Sequence, residues 1–430
     1  MTDRIDDFDD DDDVISIDVG AGQSRRSIMK QLGAAGLAGG LTALAGCSGL
    51  RDSSTPTPGD GSSDGGDSES TPPSSGGGGG QSGEKESIAF ERVDLVPPPT
   101  AENIDNSNPI DPQRRMVLVN QNGENQFWVP CIAGLHDALK KMGWKGQMLA
   151  PNGYDETKQI EILNTTIDKL ESGRDAIGST IMGAQAYQDP VKKALDNDIM
   201  FYQWNTTVPK WTPDYMRENI GRVIPYVGQR AFRSGWAVAH TADEFAQEKF
   251  SDDKTLKVLP TLSVPGHPAL ENRIRGVRAF FESRDRYEVM ETLDIGLDIA
   301  EGTTKIQNRY SAEPYHVLCG CGFWGPTAAA SLIENEGLQG EFVTGGFDLV
   351  ESILNGIENG KIDFTVGQDP YSQGFMPVIL NWAYYNRGVM PKDYVTGAEL
   401  VTQDNLEFGR QRSGDWPALL EYQRQNYDVN

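Results

Sequence analysis

Cysteine is scarce in this chain, with four residues in 430, at positions 47, 131, 319 and 321. Cys47 sits in a terminal motif considered below, which leaves an odd number. Cys319 and Cys321 stand two apart, where a single strand would point both the same way. A disulfide framework is therefore excluded. Histidine is equally sparse, and His136, His240 and His267 show no catalytic spacing. His316, Cys319 and Cys321 could suggest a metal site, but residues 315–319 read as a buried strand in which Cys is a small apolar side chain. No nucleophile elbow, phosphate-cradling loop or metal-ligand cluster is present, so no catalytic residue, metal or cofactor is expected. Positive charge is also short: 38 Lys and Arg stand against 63 Asp and Glu, a formal net charge of -25. Nine of the acidic and four of the basic residues lie in positions 1–46, so the remainder still carries -20. The acidity therefore extends beyond the leader and argues against nucleic acid or an anionic membrane surface as a direct partner.

Long apolar runs are missing too. The longest terminal one, residues 32–46, is Gly- and Ala-rich, uncharged and too short for a comfortable membrane span. It follows Arg25-Arg26-Ser27-Ile28-Met29-Lys30 and ends in Leu44-Ala45-Gly46-Cys47. The twin arginines resemble a Tat export signal, and the ending resembles a lipoprotein cleavage box with Cys47 as the lipidated residue. Together they place the chain outside the cytoplasmic membrane, anchored to its outer face. Residues 48–87 are almost wholly Ser, Gly, Thr, Pro, Asp and Glu, a composition that cannot offset the entropy of ordering. A flexible tether of about 40 residues has a reach of roughly 35 Å. Acidity of this degree keeps proteins hydrated in concentrated salt and points to a halophilic, haloarchaeal source, for which export after folding is useful.

About 320 residues remain beyond the tether, more than one ordinary core holds, so two lobes are expected. Strand patterns at 116–119, 147–150, 176–181, 199–203, 223–227, 256–262, 287–293, 317–319, 342–344 and 364–366 alternate with helical patterns. The helices are expected at 127–142, 157–170, 191–195, 232–250, 269–281, 328–333 and 350–357. This alternation implies α/β architecture with parallel sheets covered by helices on both faces.

Open parallel sheets bind ligands at the carboxyl ends of their strands. The residues there are Asn125, Gln126, Phe127 and Trp128, then Trp204, Asn205 and Thr206, then residues 263–268 leading to Arg273. Phe347 and Asp348 follow the strand near 342, and Gln368 and Asp369 follow the strand at 364. Aromatics, amides, one arginine and carboxylates suit a small neutral hydroxylated ligand. Hydroxyls donate and accept, and sugar C–H faces stack on rings. Asp348 also reads as an N-cap for a helix from Leu349.

Four segments carry a resemblance to the ribose- and galactose-type substrate-binding proteins of ABC importers, the periplasmic-binding-protein type 1 fold, over residues 114–397. They are Asn125-Gln126-Phe127-Trp128, the R-x-x-G of Arg273 to Gly276, the G-F-D of Gly346-Phe347-Asp348, and the run from Thr365 through Gln368 to Gly374. The resemblance implies two Rossmann-like lobes joined by a multi-segment hinge. The first lobe would comprise 114–227 plus 370–398, and the second 228–369 plus 399–430, after a signal at 1–47 and a linker at 48–113. It further implies that Phe127 and Trp128 stack on the ligand and that Asn125 and Asn205 bind from the first lobe. Arg273 and Asp348 would bind from the second lobe, and Gln368 near the hinge. Cys321 stands where relatives usually have Asn or Asp, and Asn205-Thr206 where they often have Asp-Arg, so the sugar itself is not specified. The expected role is a monomeric receptor that delivers its solute to an ABC permease by lobe closure. The alternative is a receptor domain feeding a membrane sensor. A third reading, an enzyme using Asp348 and Asp369 as paired carboxylates, has no further motif behind it.

Overall fold

The computed structural model describes residues 114–413. The leader, Cys47, the tether, Trp416 and Tyr422 lie outside the described residues. In chain order the first sheet-forming stretch runs β1 (Arg115–Val119), α1 (Trp128–Met142), β2 (Lys145–Leu149), α2 (Glu156–Ile167), β3 (Ala176–Ser179), α3 (Gln188–Asp196), β4 (Met200–Trp204), α4 (Pro213–Asn219) and β5 (Tyr226–Gly228). The second begins with α5 (Ala231–Lys249), β6 (Leu256–Leu262), α6 (Pro268–Glu282), β7 (Tyr287–Val289), β8 (Leu293–Asp294) and α7 (Ile299–Ala312). It continues with β9 (Val317–Gly320), α8 (Trp324–Glu336), β10 (Val343–Phe347), α9 (Glu351–Glu358) and β11 (Phe364–Gly367). The chain then returns through α10 (Pro370–Arg387) and β12 (Tyr394–Val395), and ends with β13 (Glu399–Thr402) and α11 (Leu406–Ser413).

Two sheets result. The first has the order β12-β5-β4-β3-β1-β2 and the second β13-β11-β10-β9-β6-β7, with β8 also paired to β6. All pairings are parallel except β11 with β13, which is antiparallel. The fold is α/β, with two parallel-sheet lobes flanked by helices. Central strands such as β4 (MFYQW) are buried at every position, as expected where helices cover both faces. Three segments join the lobes: β5 to α5, β11 to α10, and β12 to β13. The stretch after Gly397 returns to the second sheet through β13.

Both sheets repeat one order. The chain moves outward from β1 to β2 and reverses across β3, β4 and β5. It does the same from β6 to β7 and back across β9, β10 and β11. Each reversal opens a crevice beyond the strand ends, between β1 and β3 and between β6 and β9, which is where such sheets take ligands.

Helix pairing repeats as well. In the first lobe α1 packs on α10, and in the second α6 packs on α5. Each pair meets on reciprocal glycines. A β-carbon on Gly134 would overlap the carbonyl oxygen of Tyr371, and one on Gly374 that of Cys131. On the other side Gly235 faces the carbonyl of Arg273, and Gly276 that of Phe232. The glycine of the R-x-x-G motif thus lets α6 approach α5 closely and sets the height at which Arg273 leaves its helix.

Several expected elements differ in extent. The strand expected at 223–227 is confined to Tyr226–Gly228, because Pro225 offers only its carbonyl, to Gln203 N. The strand expected at 287–293 is two short strands, both paired to β6. Asp348 is not a helix N-cap. Helix α9 starts at Glu351, with Val350 in the cap position and no side-chain capping bond.

Candidate functional site

The loops at the two crevices face one another. Asn120 to Phe127 follow β1, and Ser263 to His267 follow β6. Asn122 N donates to Asn120 Oδ1, Glu124 N to Asn122 Oδ1 and Phe127 N to Asn125 Oδ1, so successive side-chain caps curl the first loop over the strand end. His267 caps α6, its Nδ1 accepting from Leu270 N at 3.4 Å. Nδ1 therefore carries no proton, and the neutral ring bears its hydrogen on Nε2. That nitrogen lies 3.3 Å from the Gln121 amide, 146 residues away in sequence. An amide turned to present Oε1 satisfies both groups, since Gln121 Oε1 otherwise has no partner. The Tyr154 ring stands edge-on to His267, with centroids 5.9 Å apart, and Asn122 and Asn125 lie near its hydroxyl.

Burial holds His267 neutral, pulling its pKa down to about 3, with the Arg273 charge acting in the same direction. The sign is fixed by linkage. The unfolded imidazole takes a proton below about 6.5 and the folded one does not, so stability is lost as pH falls through that window. Between pH 7.5 and 5 this one group lowers the free energy of unfolding by about 2 kcal/mol. His136, pulled down to about 4 by burial, adds in the same direction. Asp348, raised by burial, acts oppositely as it protonates. We expect His267→Asn, which keeps a capping oxygen, to flatten the pH dependence of the urea midpoint by that amount. An unchanged slope would refute the assignment.

Arg273 is 5 % exposed. Its guanidinium lies 3.8 Å from the centre of the Phe347 ring. It donates to the Cys321 carbonyl at 3.0 Å and to Gln229 Oε1 at 3.2 Å. Its Nε–H is buried with no protein partner, the kind of unmet donor that a ligand hydroxyl satisfies. Burial lowers the pKa of Arg273, and the Asp348 charge offsets this. Burial raises that of Asp348, and Arg273 and Gln368 oppose the rise. Gln368 Nε2 donates to Asp348 Oδ1.

Three non-glycine residues in the left-handed region sit just beyond strand ends: Asn205 after β4 (φ 58°), Asp348 after β10 (φ 78°) and Asp369 after β11 (φ 49°). Such conformations cost of order 1 kcal/mol or more each and persist where the surroundings hold them. Asn205 Nδ2 donates to Gln373 Oε1 at 2.9 Å, and its Oδ1 accepts from Thr206.

The residues expected from sequence thus fall into two groups. Phe127, Asp348 and Gln368 line one small crevice with Pro130, Pro370 and Arg412, and the charge of Arg273 reaches Asp348 there. Asn125 stands next to them through Tyr154, which also feels Asp348. Trp128, in contrast, packs edge-on against Trp204 at 5.3 Å inside the first-lobe core. The Cys321 thiol belongs to an apolar cluster with Leu262, Leu270 and Ile274, and its carbonyl accepts from Arg273. Asn205 faces Gln373 rather than the crevice. Tyr154 was not expected: it follows edge strand β2 in the run Pro151-Asn152-Gly153, where nothing marks it beyond its ring. Among the described residues no group of His, Cys, Asp or Glu is placed to hold a metal ion.

Two parallel-sheet lobes joined by three crossings, with their crevice loops facing, are the architecture of a two-lobed small-ligand-binding protein. The periplasmic binding protein domain family matches residues 116–386, and the chain belongs to that family. A xylose/arabinose-binding protein, XylF, of Sulfolobus acidocaldarius is 22% identical over 318 residues, covering 70% of this chain and 73% of its own. A solute-binding protein from Burkholderia graminis, solved with D-arabinose, has 21% identity and a TM-score of 0.60, covering 69% of this chain and 98% of its own. One from Actinobacillus succinogenes with D-allose has 18% identity and a TM-score of 0.61, covering 69% and 100%. One from Bacillus halodurans with myo-inositol has 19% identity and a TM-score of 0.60, covering 70% and 98%.

Proposed function

We propose that the chain is an extracytoplasmic receptor that captures a sugar or cyclic polyol between its lobes and delivers it to an ABC importer. The observation that carries this reading is the burial of Arg273 and Asp348, each within reach of the other's charge, beside Phe127 and Gln368. One cation and one carboxylate cancel in formal charge, so a neutral ligand enters without leaving an uncompensated ion. The arginine fork, the carboxylate and the amide together offer the donors and acceptors that vicinal hydroxyls require. Arabinose, allose and inositol in the related structures, and xylose and arabinose in the Sulfolobus relative, are ligands of this chemistry.

The terminal segment adds an address to this role. Arg25 and Arg26 direct export by the Tat route, and Cys47 takes lipid, so that a monomeric binding domain works on a tether beside its permease. The acidic surface fits a halophilic setting. Ligand binding to the native state raises stability by RT ln(1 + [L]/Kd), about 2.7 kcal/mol at a hundredfold excess over Kd. Thermal unfolding in molar KCl against arabinose, xylose, allose, tagatose and myo-inositol is expected to show a concentration-dependent rise for at least one. A flat response to every sugar would sink the proposal.

A further inference from the structure

The three crossings between the lobes converge on one side chain. Gln229 lies in the first crossing, between β5 and α5, and is 5 % exposed. Its Nε2 donates to the carbonyl of Gly367 in the second crossing at 3.2 Å and to that of Gly397 in the third at 3.3 Å. Its Oε1 accepts from Arg273 Nη2 at 3.2 Å. Both amide hydrogens and the amide oxygen are used, so a buried amide in this place is fully satisfied. The Tyr226 hydroxyl lies 2.7 Å from the Asn205 carbonyl and 3.0 Å from the Gln229 carbonyl, so its single proton bridges the two backbones beneath the amide. Gly367 and Gly397 present these carbonyls beside Gln368 and Thr396, and Gln373 Nε2 ties those two together, donating to Gln368 O at 2.9 Å and Thr396 Oγ1 at 3.3 Å.

We infer that Gln229 is the positioning residue that fastens the three crossings to one another and to Arg273. The orientation of the guanidinium and the angle between the lobes are thereby coupled through a single amide. This rests on the reading that Arg273 contacts the ligand, and it adds what sets the Arg273 orientation. A hydroxyl that draws the Arg273 fork toward it acts on the amide that spans the crossings. Conversely, a lobe rotation that separates Gly367 from Gly397 pulls that amide off Arg273. Two substitutions separate the functions. Gln229→Glu keeps an acceptor for Arg273 but sets carboxylate oxygens against both carbonyls. Gln229→Met keeps the volume and loses all three bonds.

The test uses full-length protein with Cys47→Ser and spin labels at Glu161→Cys and Glu301→Cys, one exposed helix position in each lobe. Pulsed dipolar spectroscopy without sugar reads the interlobe distance distribution, and titration with D-arabinose and myo-inositol reads affinity. Both Gln229 variants are expected to broaden the distribution at least twofold. Gln229→Glu should weaken binding about tenfold, and Gln229→Met about a hundredfold. A distribution as narrow as wild type in either variant overturns the inference, since each loses both carbonyl bonds. Equal affinity losses in the two variants would overturn the Arg273 link. If the unsubstituted protein binds no sugar, the receptor reading fails by itself, while the distance distributions still decide whether Gln229 fastens the crossings.

Discussion

Arg273→Ala is expected to reduce sugar affinity by at least a hundredfold, about 3 kcal/mol, read by calorimetry. The residue is buried and its fork is engaged by the Cys321 carbonyl and Gln229, with Phe347 beneath it. Truncation removes the donor whose Nε–H has no protein partner. It also strips Asp348 of the nearby cation that opposes its desolvation, and leaving buried polar partners unsatisfied costs about 1–3 kcal/mol, more for charged groups. Arg273→Lys keeps the charge but not the planar fork and should fall between. Asp348→Asn should also lose affinity, but less, because the amide keeps an acceptor for Gln368 and leaves only the arginine unbalanced. Wild-type affinity in Arg273→Ala would remove the residue from the site.

Gly374→Ala is expected to destabilise the protein by about 3 kcal/mol and lower the thermal midpoint by roughly 6–12 °C. Its β-carbon would overlap the carbonyl oxygen of Cys131, which belongs to helix backbone and cannot swing aside. The helices α1 and α10 must therefore move apart, and with them the Leu135 and Val378 side chains of the first-lobe core. A control is Gly337→Ala. Gly337 has φ 66° and open space around it, so only backbone strain of about 1 kcal/mol applies. Equal effects at the two positions would contradict the close-packing account. Gly276→Ala should resemble Gly374→Ala and additionally weaken binding, because it shifts the helix that carries Arg273.

The α/β alternation was legible in the sequence because buried parallel strands such as Met116 to Val119 are short continuous apolar runs, and the intervening helices carry regular apolar stripes. The α7 helix was missed, although Asp298 caps it through Glu301 N. Its apolar positions are sparse, with Ile306 its one fully buried large side chain, so periodicity gives little signal there. Short β12 and β13 were missed for a related reason. Two to four residues paired at a sheet edge carry no pattern of their own.

At the site, what the sequence makes legible is position just after a strand. Phe127, Asp348 and Gln368 do converge, because both sheets present their carboxyl ends to one another. Trp128 shows the limit of that reasoning. Phe127 and Trp128 share the first-lobe core, their rings 5.0 Å apart, but Phe127 also borders the crevice, while one helical step of about 100° further on Trp128 packs against Trp204. Tyr154 and Gln229 could not be found by sequence position. Tyr154 reaches the site from an edge-strand loop, and Gln229 acts only where three distant chain segments meet.

A crystal structure with a bound sugar from the thermal panel tests the central claim most directly. The ring is expected between the lobes, against Phe127, with hydroxyls hydrogen-bonded to Arg273, Asp348 and Gln368. A sugar bound on one lobe alone, or away from Arg273 and Asp348, would contradict it.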